Sequence, residues 1–149
     1  MNISIKLIYR LALVFSLALM AISCAEDTSA KKEKYEDLFH KVLDIHDEVM
    51  PKMGDISELS KELKTMADTS STAEKYLKAE QKLQEADKLM MDWMHSFSDV
   101  FVKNKARVQK MNKEELQEQI DALEEELSDV KAMQQAVNSS IENARALTK

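Results

Sequence analysis

The feature that most constrains this chain is an apolar repeat of seven residues, which continues with short breaks from Tyr35 to Ala144. Its apolar residues recur three and four positions apart, and this spacing places them on one stripe of an α-helix. Stripes with a seven-residue period pack against one another along their whole length. The repeat therefore predicts long helices in a bundle, and no segment has the alternating pattern of a strand. The first run of the repeat consists of Tyr35, Leu38, Val42, Ile45, Val49, Ile56, Leu59, Leu63 and Met66.

Two further runs carry the same repeat. The second has two rows, Tyr76, Leu83, Met90 and Phe97 in one and Ala79, Ala86, Trp93 and Val100 in the other. It fades between residues 104 and 111. The third consists of Leu116, Ile120, Leu123, Leu127, Val130, Val137, Ile141 and Ala144, with Gln134 as a polar exception. Capping boxes are predicted at the two helix starts, from Ser71 to Glu74 and from Asn112 to Glu115.

The only proline and the only glycine, Pro51 and Gly54, interrupt the first run. Its apolar stripe keeps the same register on both sides of them, and two separate helices would have no reason to do so. We therefore expect one helix, kinked near Pro51 where the ring removes a hydrogen bond. Two helices separated at residues 50–54 are the alternative. The predicted fold is all-α: an elongated up-down-up antiparallel three-helix bundle over residues 33–149, or four helices if the first is broken.

Composition excludes several classes of function. One glycine leaves no room for a glycine-rich phosphate loop, and the chain has neither a nucleophile elbow nor a His-Glu-x-x-His motif. The Glu-x-x-His pairs of di-iron bundles are absent as well. The formal net charge of −6 argues against nucleic acid and against a purely electrostatic hold on anionic lipids. We expect a protein that is not an enzyme and needs no cofactor.

The N-terminus has the layout of a secretory signal peptide. Lys6 and Arg10 precede an uncharged run over residues 11–22, and small residues close it at Ser23 and Cys24. The uncharged run is too short to span a bilayer, which takes about 20 apolar residues. Cleavage before Cys24 would remove two basic residues and no acidic ones, so the net charge would become −8.

The sequence Ala21-Ile22-Ser23-Cys24 resembles the lipobox of bacterial lipoproteins. The resemblance implies that the Cys24 sulfur carries a diacylglyceryl group, that the signal is cut before Cys24, and that the new amino terminus is acylated, for example with palmitate. Two or three acyl chains give a lasting anchor. An ordinary cysteine after a conventional cleavage site and an uncleaved anchor are the alternatives. The expected division is a signal peptide at 1–23, a lipidated cysteine and polar tether at 24–32, and a helical domain at 33–149.

A second resemblance concerns the bundle. Residues 46–53, His-Asp-Glu-Val-Met-Pro-Lys-Met, and residues 92–97, Asp-Trp-Met-His-Ser-Phe, are similar to small uncharacterised helical lipoproteins of Bacteroidota. The residues after Cys24 resemble sorting signals for the outer membrane and for the cell surface. The resemblance implies a location in the cell envelope, most simply the outer membrane on its periplasmic face or at the cell surface, and no activity.

Methionine is the one unusual feature of the composition. Folding the first two helices about a turn near residues 69–70 brings positions whose numbers sum to about 139 to the same height, so His46 lies level with Met94. Thioethers beside imidazole suit Cu(I), and the candidate ligands are His46, Met50, Met53, Met91, Met94 and His95. Plain core packing is the leading alternative, because methionine fills irregular gaps. A methionine-lined groove for an apolar ligand or peptide is a third hypothesis.

These observations favour a lipid-anchored helical protein of the envelope that works through protein contacts, as a scaffold, a spacer or an assembly subunit. The alternative is a Cu(I)-binding envelope lipoprotein. The expected partners are the membrane, through Cys24, and an unidentified envelope protein, with no nucleic acid. Exposed faces of the helices leave room for homo-oligomers.

Overall fold

The structure, a computed structural model, describes residues 28–149. These residues are helical almost throughout and contain no strand, which confirms the all-α class. The predicted signal peptide at 1–23 and the predicted lipidation site, Cys24, lie outside the described residues. The helices are α1 (28–49), a single 3₁₀ turn (Met50–Lys52), α2 (Met53–Thr69), α3 (Ala73–Phe97), α4 (Lys105–Val108) and α5 (Lys113–Leu147).

The first helix includes part of the stretch that the sequence predicts as a polar tether. Residues 28–32 are helical, and they belong to the same continuous helix as residues 33–49. The rest of the predicted tether, residues 24–27, lies outside the described residues.

Pro51 lies in a 3₁₀ turn, and the turn joins α1 to α2 without a break in the helical path. Val49 and Met53, on either side, both keep right-handed helical backbone angles, and the Met53 N–H donates to the Met50 carbonyl. Pro51 has no N–H to donate, so a tightened turn is a low-cost way to carry the helix past it. Gly54 lies inside α2, where nothing approaches within 4 Å of the place that a Cβ would occupy. The first two helices are thus consecutive segments of one helical path.

The two predicted capping boxes have different outcomes. At the start of α5, the Glu115 N–H donates to the Asn112 side chain at 2.9 Å and the Asn112 N–H donates to the Glu115 carboxylate at 2.8 Å. The box predicted at Ser71 is wrong. The N-cap of α3 is Thr72, whose ψ of 48° is not extended as that of Asn112 is, and it makes no side-chain cap bond. The Thr72 N–H donates to the Ser70 hydroxyl instead.

The chain after α3 widens into a π-helical turn at Ser98–Val102, and this turn changes which side chain is buried. The Lys103 N–H donates to the Ser98 carbonyl, five residues back, at 3.0 Å. Such a turn holds one residue more than an α-helical turn and rotates the residues that follow. As a result Phe101 is 3% exposed, whereas Val100, which the repeat predicts in the core, is 49% exposed.

The core runs along the whole bundle. α2 packs along α3, and α3 packs along α5. Most residues of the predicted repeat are buried, while Ile45, Met66 and Leu127 are partly buried. Met133 takes the buried place beside the polar Gln134, whose amide reaches out to donate to Glu48 at 2.9 Å.

Contacts between the first helical path and α5 keep one register along their length. Three of them join residues that are 86 positions apart: Lys31 with Gln117, Glu48 with Gln134, and Lys52 with Asn138. A fourth contact, between Asp55 and Arg145, joins residues 90 apart at 2.7 Å. The difference in residue number between contacting partners thus changes little from Lys31 to Asp55.

Candidate functional sites on the bundle

The side chain of His46 lies where the first helical path meets α3. Its ring stacks on Trp93, with centroids 5.4 Å apart, and its Nδ1 lies 3.0 Å from a carboxylate oxygen of Asp47. Positions 46 and 93 are level, as the folding-back argument from the sequence predicts. His46 therefore lies beside the residue that precedes Met94 in α3.

The other five candidate copper ligands fall into two groups. Met53 and Met94 are partly buried and pack against the core. Met50 and Met91 are exposed by 40% and 42%, and His95 is exposed as well. One turn from His95, the pKa of the Asp99 carboxyl is lowered, mainly by the hydrogen bond from Lys103. The predicted set thus divides into an inner group at the edge of the core, which includes His46, and an outer group toward solvent.

Within residues 28–149, no group of three or more His, Cys, Asp and Glu side chains is placed to hold a metal ion. The Cu(I) hypothesis from the sequence rests instead on imidazole beside thioethers.

An aromatic cluster lies beside His46, and the sequence analysis did not anticipate it. Trp93 stacks on Phe97 at 5.1 Å, and Phe97 contacts both Phe101 at 5.3 Å and Phe39 at 5.4 Å. Phe39 in turn stacks on Tyr35, whose burial raises its hydroxyl pKa to about 12. Phe101 enters this cluster through the π turn, which the seven-residue repeat does not reveal.

The indole N–H of Trp93 is buried and makes no hydrogen bond of normal geometry. The carboxyl group of Glu126, on α5, faces it. Partial burial raises the pKa of Glu126, and the nearby indole N–H offsets part of this rise. Glu126 ends a run of three glutamates that the sequence suggests is a solvated face, but it is partly buried, whereas Glu124 and Glu125 are exposed.

Glu80 and Ser140 are buried polar residues that the apolar repeat does not reveal. Glu80 is 7% exposed on α3, where its carboxylate accepts from the Ser60 hydroxyl at 2.9 Å and lies 3.1 Å from the Lys64 ammonium. Gln84 also donates to it. These partners satisfy the buried charge and join α2 to α3, so Glu80 has a structural role.

Two surfaces remain as candidates for contacts. A shallow groove between α3 and α5 is lined by small side chains, Ala86, Ala136 and Ser140, with Leu89 at its side, 43% exposed. The second surface is the end of the bundle that contains residues 28–34. There the Lys32 ammonium donates to the Gln109 carbonyl at 2.8 Å, so the segment between α3 and α5 lies against the first turns of α1.

Comparison with protein-family models, with curated proteins and with solved structures gives no significant match. None of the helices described, from residue 28 onward, is both long enough and apolar enough to cross a membrane. The candidate sites are therefore judged on the sequence and on the geometry above.

Proposed function

We propose that this protein is a lipid-anchored component of a bacterial cell envelope that works through contacts with other proteins, as a scaffold, a spacer or a subunit of an assembly, without catalysis. The observation that carries the proposal is the sequence Ala21-Ile22-Ser23-Cys24 after a positive and then apolar stretch, which resembles a lipobox. The helical backbone at residue 28, four positions after Cys24, supports it. Four residues span at most about 14 Å, so an anchor at Cys24 would hold the bundle close to the bilayer.

The same proposal includes an up-down-up arrangement of the three long helical segments. The nearly constant offset of contacts between the first path and α5 supports two segments that run in the same direction. The contacts of α3 support a segment that runs the other way, since His46 meets Trp93 and Ser60 meets Glu80. An elongated bundle anchored at one end would act as a spacer or a platform.

Exposed apolar side chains support a role in protein contacts. Six large ones are at least 40% exposed, and they lie on several faces of the bundle rather than in one pocket: Met50, Leu77, Leu89, Met91, Val100 and Val102. Single exposed apolar residues are ordinary on any surface. We propose partner binding over an extended face of α3, where Leu89 borders the groove along α5.

Membrane fractionation tests the anchor. The wild-type protein is expected in the membrane fraction, resistant to high salt and released by detergent, whereas Cys24→Ser is expected to remain unprocessed and to lose acylation. Labelling cells with palmitate separates the two variants directly. A wild-type protein that incorporates no label and leaves the membrane in high salt would contradict the proposal.

The second candidate function is Cu(I) binding, and the position of His46 favours it. The ring of His46 is held on Trp93, next in sequence to Met94, and Met53 shares the partly buried setting of Met94. Soft thioethers and an imidazole at the edge of a core form a donor set that suits Cu(I). The exposed Met50 and Met91 would then be outer ligands.

Anaerobic titration with Cu(I), in competition with a chelator of known affinity, decides between the two functions. The comparison is a variant with leucine at Met50, Met53, Met91 and Met94, since exchange of methionine for leucine conserves volume and costs less than about 1.5 kcal/mol per site. The scaffold proposal predicts weak binding that is equal in both proteins. Tight binding of one ion that the variant loses would establish the copper function instead.

A further inference from the structure

We propose that the end of the bundle nearest Cys24 docks on the anionic phospholipid headgroups of the membrane that holds the anchor. This surface, the basic end, consists of residues 28–34 and residues 100–113. Its location beside a membrane rests on the proposed lipid anchor, but its affinity for anionic lipid does not depend on that anchor.

Charge is separated along the molecule. The basic end carries eight basic residues and one acidic residue, and the segment at 100–113 contains no acidic residue at all, while Glu26 and Asp27 lie between Cys24 and this end. Residues 35–99 and 114–149 together carry eleven basic and twenty-four acidic residues. The acidic balance of the whole chain, which argues against electrostatic lipid binding by the molecule as a whole, therefore conceals one end of the opposite sign. Clusters of lysine and arginine next to an anchor are typical of binding to anionic lipid surfaces.

The fold brings the two parts of the basic end together. Lys32 donates to the Gln109 carbonyl at 2.8 Å, which joins residues 28–34 to the segment at 100–113. Residue 28 is within about 14 Å of Cys24 even along an extended chain, so an anchor at Cys24 would hold this end of the bundle near the bilayer. Charges within about a Debye length of an anionic surface, about 10 Å at 0.1 M salt, are attracted to it.

Several of the cations are available for lipid. Arg107 and Lys110 are exposed, and neither makes an ion pair in the described part of the chain. They lie beside Glu115 and Glu118, but the Glu115 carboxylate is held by the N–H of Asn112 in the capping box. Lys34, Lys103 and Lys105, in contrast, pair with Glu124, Asp99 and Glu36, and Lys105 also lies above the ring of Phe39, so Arg107 and Lys110 are the cations on which the proposal depends.

Two apolar side chains complete the surface. Val100 and Val102 are 49% and 48% exposed, and both belong to the π turn that places Phe101 in the core. Apolar side chains among basic ones are the composition of surfaces that lie in the membrane interface. The π turn therefore has a consequence outside the core, because it leaves Val100 on the surface beside the cations.

Sedimentation with vesicles tests the proposal. The protein is the chain from residue 24 with Cys24→Ser, which retains the whole described core from Tyr35 to Ala144. The probes are vesicles of phosphatidylcholine alone and vesicles that also contain phosphatidylglycerol. We expect binding to the anionic vesicles only, lost near 1 M salt, where the Debye length falls to about 3 Å.

A matched pair of variants assigns the binding to this end. Arg107→Glu with Lys110→Glu reverses two charges at the basic end, and Lys61→Glu with Lys78→Glu reverses two exposed charges on α2 and α3, far from it. Both pairs change the net charge equally. We expect the first pair to weaken binding about tenfold or more and the second to change it less than about threefold. Circular dichroism verifies that both remain helical.

Three outcomes would overturn the proposal. They are equal binding to both kinds of vesicle, equal losses in the two variants, and no binding to any vesicle. In the last case, crosslinks from Lys110 to an acidic protein would assign this surface to a protein partner instead. Because the test protein has no anchor, failure here is distinct from failure of the anchor, which the palmitate label reports.

Discussion

At the scale of single residues, Trp93 contacts both of the helical segments that pack against α3. It stacks on His46 from the first path and on Phe97 one turn further along α3, and its buried N–H faces the carboxyl group of Glu126 on α5. A buried donor without a good partner costs stability, and so does a half-buried carboxylate. Each of these two groups partly offsets the cost of the other, so Glu126 belongs to the structure around Trp93 and not to the acidic surface beside it.

Replacement of Glu126 with glutamine tests this interpretation. Burial raises the pKa of Glu126 in the folded state above its ordinary value of 4.5, so the folded state holds this proton more tightly than the unfolded chain does. The contribution of Glu126 to stability is therefore full below pH 4.5 and is lost as the pH rises through the folded-state pKa. Glu126→Gln removes this loss and keeps an acceptor for the indole N–H. We expect its Tm to exceed that of the wild type at pH 7 and to match it near pH 4.

The neighbouring residue Glu125, which is exposed, supplies the control. Glu125→Gln makes the same change of charge without a buried partner. Thermal melts of the three proteins at several pH values give the comparison. A gain at pH 7 that is equal in both variants would show that the effect comes from the overall negative charge and not from burial at Glu126.

At the scale of helices, the π turn at Ser98–Val102 is the place where the apolar repeat and the structure disagree. The repeat continues to Val100, yet Phe101 is the buried residue and Val100 is exposed. One additional residue in a π turn accounts for the difference, since the hydrogen bond from Lys103 reaches back five residues to Ser98. If the additional residue were absent, Phe101 would move up to the position that Val100 has in the repeat. An ordinary α-helix would then bury Phe101 there.

Deletion of Val100 tests this explanation. The shortened chain is expected to form an α-helical turn that keeps Phe101 in the aromatic cluster, with cooperative unfolding and a change in Tm of a few degrees, which corresponds to about 1 kcal/mol. Deletion of Leu89, also an exposed apolar residue of α3, is the control. It rotates Met90, Trp93 and Phe97 out of the core. At about 2–5 kcal/mol for each lost side chain, this loss is comparable to the whole stability of a small domain.

The two deletions are compared by thermal melts followed by circular dichroism in the far and near ultraviolet. The near-ultraviolet signal reports on the packing of the aromatic cluster. If deletion of Val100 abolishes cooperative melting as deletion of Leu89 does, the additional residue is required for the fold, and the interpretation of the turn as an insertion is wrong.

The all-α fold class and most of the buried residues could be predicted, because both follow from the seven-residue spacing of apolar residues along the chain. The capping box at Asn112 could be predicted for the same reason, whereas the one at Ser71 failed because the backbone of Thr72 is not extended. The helical path through Pro51 follows from the unchanged register of the stripe. The π turn, the burial of Glu126 and the basic end depend on which segments meet in space, and a period along the chain does not contain that information.

At the scale of the whole molecule, positive and negative charges are separated along the length of the bundle. The bundle is long, its chain enters at one end close to Cys24, and that end carries a local excess of positive charge on an otherwise acidic protein. On our proposal the acyl chains provide the attachment, and the basic end sets the orientation of the bundle on the membrane. The faces of α3 and α5 farther along would then be presented to partners at a fixed height.

The candidate copper ligands lie at a different position along the bundle. His46, Met53 and Met94 lie near the edge of the core at the level of the 3₁₀ turn, and none of them belongs to the basic end. The lipid-binding proposal and the copper hypothesis thus concern separate surfaces. Variants at Arg107 and Lys110 are expected to leave Cu(I) titrations unchanged, and variants at the methionines are expected to leave vesicle binding unchanged.

The central claim is that a lipid on Cys24 holds this bundle at a membrane, and mass spectrometry of the protein purified from cell membranes tests it most directly. The account predicts a chain that begins at Cys24, with the mass of residues 24–149 increased by a diacylglyceryl group and an acyl chain, and an N-terminal peptide that carries all of that increase. A chain that retains residues 1–23, or one in which Cys24 is a free thiol, would contradict it.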